Sequence, residues 1–504
     1  MNGLMMIERA MGRGERVAFV EAAGERTYGM LLESSGEVAL DLMGGGGDVL
    51  GMRVGLLVLR GSDHVIGQWG VWRAGGVVVP MCVSATELEW EYAIRDSGMR
   101  VVVVDGEMAG KVGGVCEREG VRVLVLGGAG VGVGVGVGGG RVFEGPEVLE
   151  DRDAMILYTS GTTSRPKGVV TTHGTIRAQV ESLVEAWAWG EGDVIPLFLP
   201  MHHIHGIINV VGCAMWVGGR VEGFVRFEMG QVFARVRARA YTLFMAVPTI
   251  YVKMIQGLEG MEELEREAVV LGFSGMRLMV SGSAALPATV HGRWRELTGQ
   301  ELLERYGMTE IGMALSNPLL GERRPGAVGI PLPGVGVRLV GEGGVVVEGE
   351  EESGEVQVRG RNVFRGYWGR EDATRESFDG EWFRTGDMAV RERGYYRIMG
   401  RLSVDIIKSG GYKLSALEIE SVLLEHPLVE ECAVIGLADD TWGEVVTAVL
   451  VLVEGTELGL EGLRGWCKER MSAYKVPQRM LVVGALPRNA MGKVTKPAVR
   501  ALFA

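Results

Sequence analysis

The sequence predicts an α/β fold whose C-terminal end forms a separate, smaller α+β region. Short runs of Val and Leu at 53–60 and 100–104 are bounded by turn residues, as expected for strands buried on both faces of a parallel sheet. The segment 86–98 between them has the pattern of a helix that ends at Gly98. A strand, a helix and a second strand in succession form the unit from which parallel sheets are built.

The strand pattern changes after about residue 335. Short apolar runs then alternate with turn residues, which predicts antiparallel strands at 334–340, 354–360 and 394–400. From Ser415 onward we expect a compact domain of about 100 residues, a common domain size. Its boundary lies near 400–403. Its predicted elements are a helix over 416–426, strands over 433–437 and 445–453, a helix over 460–471 and a last strand over 480–484.

The composition excludes several classes of protein. The 504 residues are 47% hydrophobic and 23% charged, which supports a large folded core and excludes disorder as the main state. With 64 acidic against 52 basic side chains, the net charge of −12 argues against a general nucleic-acid binder. Half of the uncharged residues at 123–140 are Gly, so we interpret this stretch as a flexible surface loop and not as a membrane span.

The N-terminal residues give no sign of secretion. They lack the apolar stretch of a secretory signal and mix acidic with basic side chains. The five Cys are too far apart in sequence to form a zinc or redox pair, which predicts reduced thiols. We therefore expect a cytoplasmic protein, with the mitochondrial matrix as the alternative if a targeting peptide is missing from this chain. We expect no membrane span, and nothing in the sequence implies a protein partner.

A polar loop, YTSGTTSRPKG at 158–168, follows an apolar run and therefore leaves a predicted strand. Small hydroxyl residues around Gly161 can surround phosphate oxygens with N–H and O–H groups, and Lys167 adds a positive charge. The loop is not a Walker A sequence, because Pro166 and Gly168 flank the lysine where that motif has Gly and Ser or Thr. The alternative interpretation is a turn that only ends the strand.

Two further segments carry groups suited to a nucleotide. In RYGMTE at 305–310, Glu310 can bind Mg²⁺ directly or through water, and Tyr306 offers an aromatic face to a base. In WFRTGD at 382–387, the carboxylate of Asp387 follows a Gly turn and can accept both hydroxyls of a ribose. Each segment also fits an ordinary turn with an exposed carboxylate.

Two segments nearer the C-terminus complete the set. GRLSVD at 400–405, followed by KSGGYK at 408–413, lies between the predicted domains and is a candidate hinge. In PRNAMGK at 487–493, Lys493 lies on a Gly-containing loop, from which a flexible cation can reach into a site. A solvated surface lysine is the alternative.

Together and in this order, the five segments resemble the adenylate-forming superfamily, which contains acyl-CoA synthetases, adenylation domains of peptide synthetases and beetle luciferases. The resemblance runs from about 5 to 500. It implies an N-terminal domain (1–400) of two α/β subdomains and a small β-barrel, and a mobile C-terminal domain (401–504) with a hinge near 401–405. It also implies two steps: a carboxylate attacks the α-phosphate of ATP to give an acyl adenylate and pyrophosphate, and after rotation of the small domain a thiol attacks the adenylate.

The resemblance implies roles for individual residues. Lys493, Glu310 and Thr309 are the candidate catalytic residues, and Lys493 acts only in the first step because domain rotation removes it. Glu310 and Thr162 are the candidate Mg²⁺ ligands. Ser403 departs from the superfamily, which usually has Asp or Lys there. The other candidate contacts are Thr159, Ser160, Gly161, Thr162, Thr163, Lys167 and Lys493 for the phosphates, Tyr306 for adenine, Asp387 for ribose, Arg401 from the hinge, and Gly410 and Gly411 for the pantetheine of CoA.

Three segments predict the class of acid. Arg305 precedes the tyrosine of YGMTE, Ser283 lies in SGSAALP, and PMHHIHG at 200–206 holds three of the seven His. A second carboxylate needs a cation and hydroxyl donors, because burying it unpaired costs several kcal/mol. Arg, Ser and His together suit a small dicarboxylate. Each also has a structural alternative, namely an ion pair, a satisfied turn hydroxyl and a polar loop.

The wider sequence resembles the malonyl-CoA synthetases, and within them the plant malonate–CoA ligases. The similarity lies in the segments 245–261, 277–287, 302–319, 403–427 and 486–496. It implies that Arg305 and Ser283 bind the distal carboxylate of malonate. His203 or His205 then lies nearby, and Met308 limits the length of the pocket. The residues by themselves support only a small, anionic carboxylate.

Four functions are open at this point. The first is ATP-dependent ligation of malonate to CoA through a malonyl-adenylate, with release of AMP and pyrophosphate. The second is a short- or medium-chain acyl-CoA synthetase that uses another small carboxylic acid. The third is an adenylating oxygenase of the luciferase kind or a carrier-loading module. The fourth is a nucleotide-binding regulator without catalysis, against which Lys493 and Glu310 weigh.

Overall fold

The computed structural model describes residues 3–59, 61–127, 145–159, 166–410, 412–439, 441–488 and 494–503. In these ranges, no helix combines the length and the apolar character that crossing a membrane requires. Several of the predictions concern residues outside them, namely Ser160, Gly161, Thr162, Thr163, Gly411, Lys493 and the loop at 128–140.

The first part of the chain builds parallel strands joined by helices. Val and Leu runs form strands because their branched side chains are covered on both faces of the sheet. The elements are α1 (Met5–Met11), β1 (Val17–Glu21), β2 (Gly24–Thr27), α2 (Tyr28–Met43), β3 (Arg53–Leu57), α3 (Gly61–Arg73), β4 (Val77–Pro80), α4 (Glu87–Ser97), β5 (Val101–Val104), α5 (Gly106–Glu119) and β6 (Arg122–Val125). Strand β3 pairs in parallel with both β4 and β5, as the sequence predicts.

Strand β5 shows why this sheet is buried on both sides. Val101 and Val103 pack into one hydrophobic cluster, while Val102 and Val104 pack into another. The helix predicted before it is also confirmed, because α4 ends at Gly98, whose φ of 62° lies in the left-handed region.

The interpretation of 123–140 as a loop is wrong at its beginning. Residues 122–125 form β6, which pairs in parallel with β5 at the edge of the sheet. The apolar side chains of this short segment favour pairing with the free edge of β5, and the Gly-rich composition begins only after them.

The middle of the chain adds strands to the first sheet and supplies strands and helices to two further sheets. A helix with i→i+5 hydrogen bonds, the π-helix His205–Gly212, precedes α7. The elements are β7 (Asp153–Thr159), β8 (Lys167–Thr172), α6 (His173–Ala186), β9 (Val194–Leu197), α7 (Cys213–Val217), β10 (Arg220–Gly223), α8 (Met229–Arg237), β11 (Leu243–Ala246), α9 (Pro248–Glu259), α10 (Glu263–Ser274), β12 (Leu278–Ser281), α11 (Ala288–Thr298), β13 (Leu303–Met308), β14 (Gly312–Ser316) and β15 (Ile330–Pro331).

The antiparallel strands predicted after residue 335 are confirmed. They form a small sheet in the order β17-β16-β18-β21-β20, with β22 paired to β21. Their bounds are β16 (Gly336–Val340), β17 (Val346–Val347), β18 (Ser353–Arg359), β19 (Gly366–Tyr367), α12 (Glu371–Glu376), β20 (Phe378–Asp379), β21 (Trp382–Glu392) and β22 (Tyr395–Arg401). The short strand β19 instead joins the first sheet, whose order is β19-β8-β7-β4-β3-β5-β6.

Two more sheets complete the α/β region. One has the order β2-β1-β10-β9, and the other has the order β11-β12-β13-β14-β15. In the second, β11, β12 and β13 run parallel, and β14 returns antiparallel to β13. The chain reversal after β13 therefore brings RYGMTE to the end of a parallel strand, where α/β proteins commonly bind ligands.

The C-terminal elements differ from the predicted ones mainly at their ends. The helices α13 and α14 stop three residues early, and the chain continues in turns and bends. The strands β25 and β26 are longer than predicted, since their pairing continues over ten or more residues. The bounds are β23 (Ile406–Ser409), β24 (Tyr412–Ser415), α13 (Ala416–Leu423), β25 (Val429–Asp439), β26 (Gly443–Leu452), α14 (Leu460–Lys468), β27 (Arg479–Val482) and α15 (Lys496–Arg500).

Candidate active site

The predicted phosphate loop connects two antiparallel strands. Thr159 is the last residue of β7 and Lys167 is the first residue of β8, and their Cα atoms are partners in the ladder. The hydroxyl of Thr159 donates to the carbonyl oxygen of Lys167 at 3.4 Å. The ammonium of Lys167 lies 4.8 Å from the ring centroid of Tyr367. Both described ends of the loop therefore meet at one point.

Helix α4 holds the base of this loop, which the sequence did not indicate. The hydroxyl of Tyr92 donates to the carbonyl oxygen of Pro166 at 2.6 Å, and the hydroxyl of Tyr158 donates to Asp96 Oδ2 at 2.9 Å. Arg370 Nη2 donates to the other oxygen of Asp96 at 3.1 Å. Burial raises the pKa of Tyr158, with a further contribution from Asp96. No local pattern reveals these contacts, because they depend on how α4 packs against the sheet.

Thr309 and Glu310 occupy the turn between β13 and β14. Thr309 is half-buried, and Glu310 is 5% exposed. Burial raises the pKa of the Glu310 carboxyl, and the Tyr367 hydroxyl, which donates to its Oε1 at 3.0 Å, opposes that rise. The N–H of Phe364 donates to the Glu310 carbonyl oxygen at 2.7 Å and fixes the turn.

This turn fits a divalent cation of the Mg²⁺ type. In the part of the chain that the structure describes, no three His, Cys, Asp or Glu side chains cluster as a metal cage. Mg²⁺ usually needs no cage, since it binds one or two carboxylates together with substrate phosphates and water. A single buried carboxylate, Glu310, next to the end of the phosphate loop has this character.

Tyr306, Asp387 and Arg401 form one hydrogen-bonded group. The Tyr306 hydroxyl donates to Asp387 Oδ2 at 2.6 Å, and Arg401 Nε donates to Asp387 Oδ1 at 3.2 Å. Arg401 is the cross-strand partner of Asp387 in the β21–β22 pair. Burial and the Asp387 carboxylate both raise the pKa of Tyr306. A carboxylate has about four acceptor positions, so Asp387 keeps capacity for further donors.

The residues predicted for the acid also come together. Ser283 Oγ lies 3.1 Å from His205 Nδ1 and 3.4 Å from Arg305 Nη2. Arg305 is 5% exposed, and burial lowers its pKa to about 10. Burial also lowers the pKa of His205, with contributions from Arg305 and His203. Among the described residues, neither Arg305 Nε nor His205 Nε2 has a hydrogen-bond partner.

Backbone geometry adapts the segment 281–283 to this arrangement. A Cβ atom at Gly282 would lie 2.4 Å from Cζ of Arg305, so the guanidinium packs directly on the glycine. Ser283 has a φ of 71°, a left-handed conformation that is costly for a residue with a side chain and is often found at functional sites.

The other residues predicted to contact the substrate acid lie close in sequence to His205 or to Arg305. The rings of His202 and His203 are 4.2 Å apart, and the structure places His205, the first residue of the π-helix, against Ser283. Single π-type turns are frequent at functional sites. Met308 is half-buried at the end of β13, three residues after Arg305.

The C-terminal candidates flank the hinge segment. Gly410 has a φ of 57°, and its N–H donates to the carbonyl oxygen of Trp442 at 2.9 Å. Lys496, three residues after Lys493, places its Nζ 2.6 Å from Asp405 Oδ1. The same Asp405 accepts from the N–H of Arg401 through Oδ2 at 2.9 Å, which connects α15 to the hinge.

Comparisons with known proteins agree with this geometry. The AMP-binding enzyme family matches residues 7–368, and its C-terminal domain matches residues 418–493. The mitochondrial malonate–CoA ligase ACSF3 of Mus musculus is 43% identical, over 97% of this chain and 88% of its own length. Malonate–CoA ligase of Arabidopsis thaliana is 37% identical, over 96% of this chain and 86% of its own.

A solved structure gives the same result in three dimensions. ATP-bound MatB from Rhodopseudomonas palustris superposes with a TM-score of 0.88 at 33% identity, over 100% of this chain and 99% of that one. The predicted resemblance and the predicted fold class are both confirmed. The chain belongs to the AMP-binding enzyme family of adenylate-forming enzymes.

Proposed function

We propose that this protein is an ATP-dependent malonate–CoA ligase, which forms a malonyl-adenylate and then malonyl-CoA, with release of AMP and pyrophosphate. Its family membership makes it an AMP-forming acid–thiol ligase with ATP and CoA as co-substrates. The observation that carries the choice of acid is the contact of Arg305, Ser283 and His205, in which two buried nitrogens, Arg305 Nε and His205 Nε2, have no hydrogen-bond partner among the described residues.

The acid pocket suits an anion better than an alkyl chain. An unpaired buried guanidinium is unfavourable, and a distal carboxylate would supply both the charge and the acceptors that Arg305 Nε and His205 Nε2 lack. A fatty acid would leave these groups unpaired in an apolar environment. We propose Arg305 and Ser283 as the contacts of the distal carboxylate, with His205 beside them, His203 behind His205 and Met308 at the limit of the pocket.

The proposed nucleotide contacts come from the phosphate loop and from the group of Tyr306, Asp387 and Arg401. We propose that Thr159, Lys167 and the loop residues Ser160, Gly161, Thr162 and Thr163 bind the phosphates. Tyr306 would stack on adenine while its hydroxyl stays on Asp387, and Asp387 would use its free acceptor positions for the ribose. Arg401 contacts the nucleotide from the hinge. Lys493 would neutralise charge as the carboxylate attacks the α-phosphate. Thr309 would act beside Glu310, in the turn between β13 and β14.

We further propose Mg²⁺ as the metal, held by Glu310 and the hydroxyl of Thr162. When bound, Mg²⁺ neutralises the triphosphate and so permits the approach of a second anion. Glu310 contributes a buried carboxylate whose turn is fixed by two hydrogen bonds, so that its position does not depend on the substrate.

The second step requires a different arrangement of the two domains. We propose a rotation of 401–504 against 1–400 about the hinge at 401–405, which would remove Lys493 and bring Gly410 and Gly411 to the acyl adenylate as the walls of a pantetheine tunnel. The ion pair of Lys496 with Asp405 supports a C-terminal segment that moves together with the hinge.

For the compartment, we propose the cytoplasm, with the mitochondrial matrix as the alternative. The alternative is supported by the names of the vertebrate relatives, which are mitochondrial enzymes. Imaging of a fluorescent fusion of the full gene product would distinguish the two.

The experiment that tests the function is pyrophosphate release by the purified protein with ATP, Mg²⁺ and CoA. The acids are malonate, methylmalonate, succinate, acetate, butyrate and octanoate. We expect a strong preference for malonate together with thioester formation. Preference for a monocarboxylate would instead support a short- or medium-chain acyl-CoA synthetase and would refute the assignment of Arg305.

A further inference from the structure

Tyr367 contacts both charged groups of the proposed phosphate and metal site. Its ring lies under the ammonium of Lys167, 4.8 Å from the centroid, and its hydroxyl donates to Glu310 Oε1 at 3.0 Å. We propose that Tyr367 is a positioning residue that keeps Lys167 and Glu310 apart and aligned for the nucleotide and its metal. This inference rests on the proposed function, which gives Lys167 to the phosphates and Glu310 to Mg²⁺.

The position of Tyr367 follows from strand pairing. Strand β19 is only two residues long, and Tyr367 is the ladder partner of Val169 in β8. Lys167 lies two residues before Val169 on the same strand, so its side chain leaves the same face of the sheet. A diagonal neighbour at this spacing is within reach of a long side chain. The contact between lysine and ring is therefore built into the register.

The carboxylate arrives from a different sheet. Glu310 follows β13, and the segment that contains Tyr367 holds it at two points, through the Tyr367 hydroxyl and through the N–H of Phe364. Tyr367 is itself fixed, because its N–H donates to Thr374 Oγ1 at 2.9 Å and its ring packs edge to face on Phe364. One tyrosine thus spans two sheets and has little freedom to move.

The chemical consequence is that the two charges remain available. An ammonium and a carboxylate this close to a common side chain would gain by pairing directly. In the described residues, no ion pair joins Lys167 to Glu310, and the phenol lies between them with its face on the cation and its hydroxyl on the anion. A direct ion pair would occupy the groups that phosphate and metal need.

Two variants separate the two contacts. Tyr367→Phe keeps the ring under Lys167 and removes only the hydrogen bond to Glu310. Tyr367→Leu removes both contacts and allows the two charges to meet. The matched control is Tyr395→Phe, because Tyr395 in β22 also carries a cation on its ring, Arg324 at 3.9 Å. It also donates its hydroxyl, here to the backbone carbonyl oxygen of Glu322 at 2.9 Å.

The measurement is nucleotide binding without turnover, in the absence of acid and CoA. Calorimetry would give the dissociation constant of ATP in EDTA and the Mg²⁺ concentration at which binding is half-enhanced. For Tyr367→Phe we expect metal-free ATP binding within about twofold of wild type, because the cation–π contact persists, and a Mg²⁺ midpoint raised about tenfold. For Tyr367→Leu we expect both the dissociation constant of ATP in EDTA and the Mg²⁺ midpoint to rise.

Two results would overturn the inference. The first is a Mg²⁺ midpoint in Tyr367→Phe equal to that of Tyr395→Phe, and the second is metal-free ATP binding in Tyr367→Leu equal to wild type. If the Leu variant fails to fold, as judged by circular dichroism, the nearly isosteric Phe variant decides the question. If wild type binds no ATP at all, the proposed function fails. If wild type binds Mg²⁺ and ATP and both variants match it, only this inference fails.

Discussion

Arg305 and Tyr306 are neighbours on β13, yet they differ in how far the described residues satisfy their hydrogen-bonding groups. Tyr306 donates to Asp387, so its hydroxyl is already paired within the protein. Arg305 faces Ser283 and His205, and its Nε has no partner in the structure as described. Under the proposed function, one strand would separate a nucleotide site organised in advance from a pocket whose charge the substrate completes.

The alternation of a β-strand produces this separation. Successive side chains point to opposite faces, so consecutive residues enter different environments without any irregularity in the backbone. Glu304 extends the comparison, because it is also buried but its carboxyl group accepts only one hydrogen bond among those described, from the N–H of Gly326 at 2.9 Å. Four substitutions test whether the two faces of β13 act independently.

The largest effect is expected for Arg305→Ala. Removing the buried cation leaves the distal carboxylate unpaired, and breaking such a pair costs about 3–5 kcal/mol. We expect kcat/KM for malonate to fall about a hundred- to a thousandfold, while KM for ATP stays within about twofold. Steady-state kinetics with each substrate varied in turn would show this. Equal changes in the kinetic constants for malonate and for ATP would contradict the idea that the two faces of β13 serve different substrates. The control is Arg295→Ala, at an exposed ion pair.

Glu304→Gln is expected to change how stability depends on pH. Burial raises the pKa of Glu304 to about 8 from an ordinary value of 4.5. The folded chain therefore holds a proton that the unfolded chain loses between these values, and stability is lost as the pH rises through 8. The variant should be more stable than wild type by up to about 5 kcal/mol above pH 8 and nearly equal to it near pH 4.5. Urea unfolding at both pH values measures this. A constant difference would refute it.

Asp387→Asn should affect the nucleotide side alone. The amide cannot accept from Tyr306, Arg401 and a ribose as a carboxylate does, and each hydrogen bond to a charged group contributes about 1.5–3 kcal/mol. We expect KM for ATP to rise about tenfold or more, with an unchanged preference for malonate over succinate. Asp379→Asn, at an exposed ion pair of the same sheet, is the control. A shift in acid preference would show that the two sides are coupled.

The smallest effect is expected for Ser283→Gly. Glycine accepts the φ of 71° without strain, so the free energy of unfolding should rise by about 1 kcal/mol. The lost hydroxyl should raise KM for malonate about fivefold. Ser283→Ala is the matched variant, since it loses the hydroxyl but keeps the strained Cβ. A thermal unfolding temperature that rises in both variants would argue against backbone strain at this position.

Much of the fold was predictable because its signals are local. Runs such as 101–104 need cover on both faces, and Thr86 and Gly98 bound α4 through backbone geometry that any sequence of this kind adopts. Strand ends were less predictable, as in β25 and β26, because the length of a ladder depends on its partner. The free edge of β5 likewise recruited 122–125 against the expectation of a loop.

The candidate site divides in the same way. Arg305 and Ser283 were predicted to share a pocket with His203 or His205, and the structure brings Arg305, Ser283 and His205 into contact. Tyr367 and Asp96 were not predicted, since each acts through packing between distant segments and stands in no chemical pattern of its own. Their positions could be found only after β19 and α4 had been placed.

Gly282 is a position at which one substitution would change the specificity of the proposed acid pocket. The guanidinium of Arg305 rests where a Cβ at this position would be, so any other residue must push the charge aside. If Arg305 binds the distal carboxylate as proposed, a single substitution at Gly282 would open the pocket to acids without a second charge. A library of variants at this position, screened against monocarboxylates, would test this. The range of acids that such a protein accepts would then depend on the residue at position 282 as well as on Arg305.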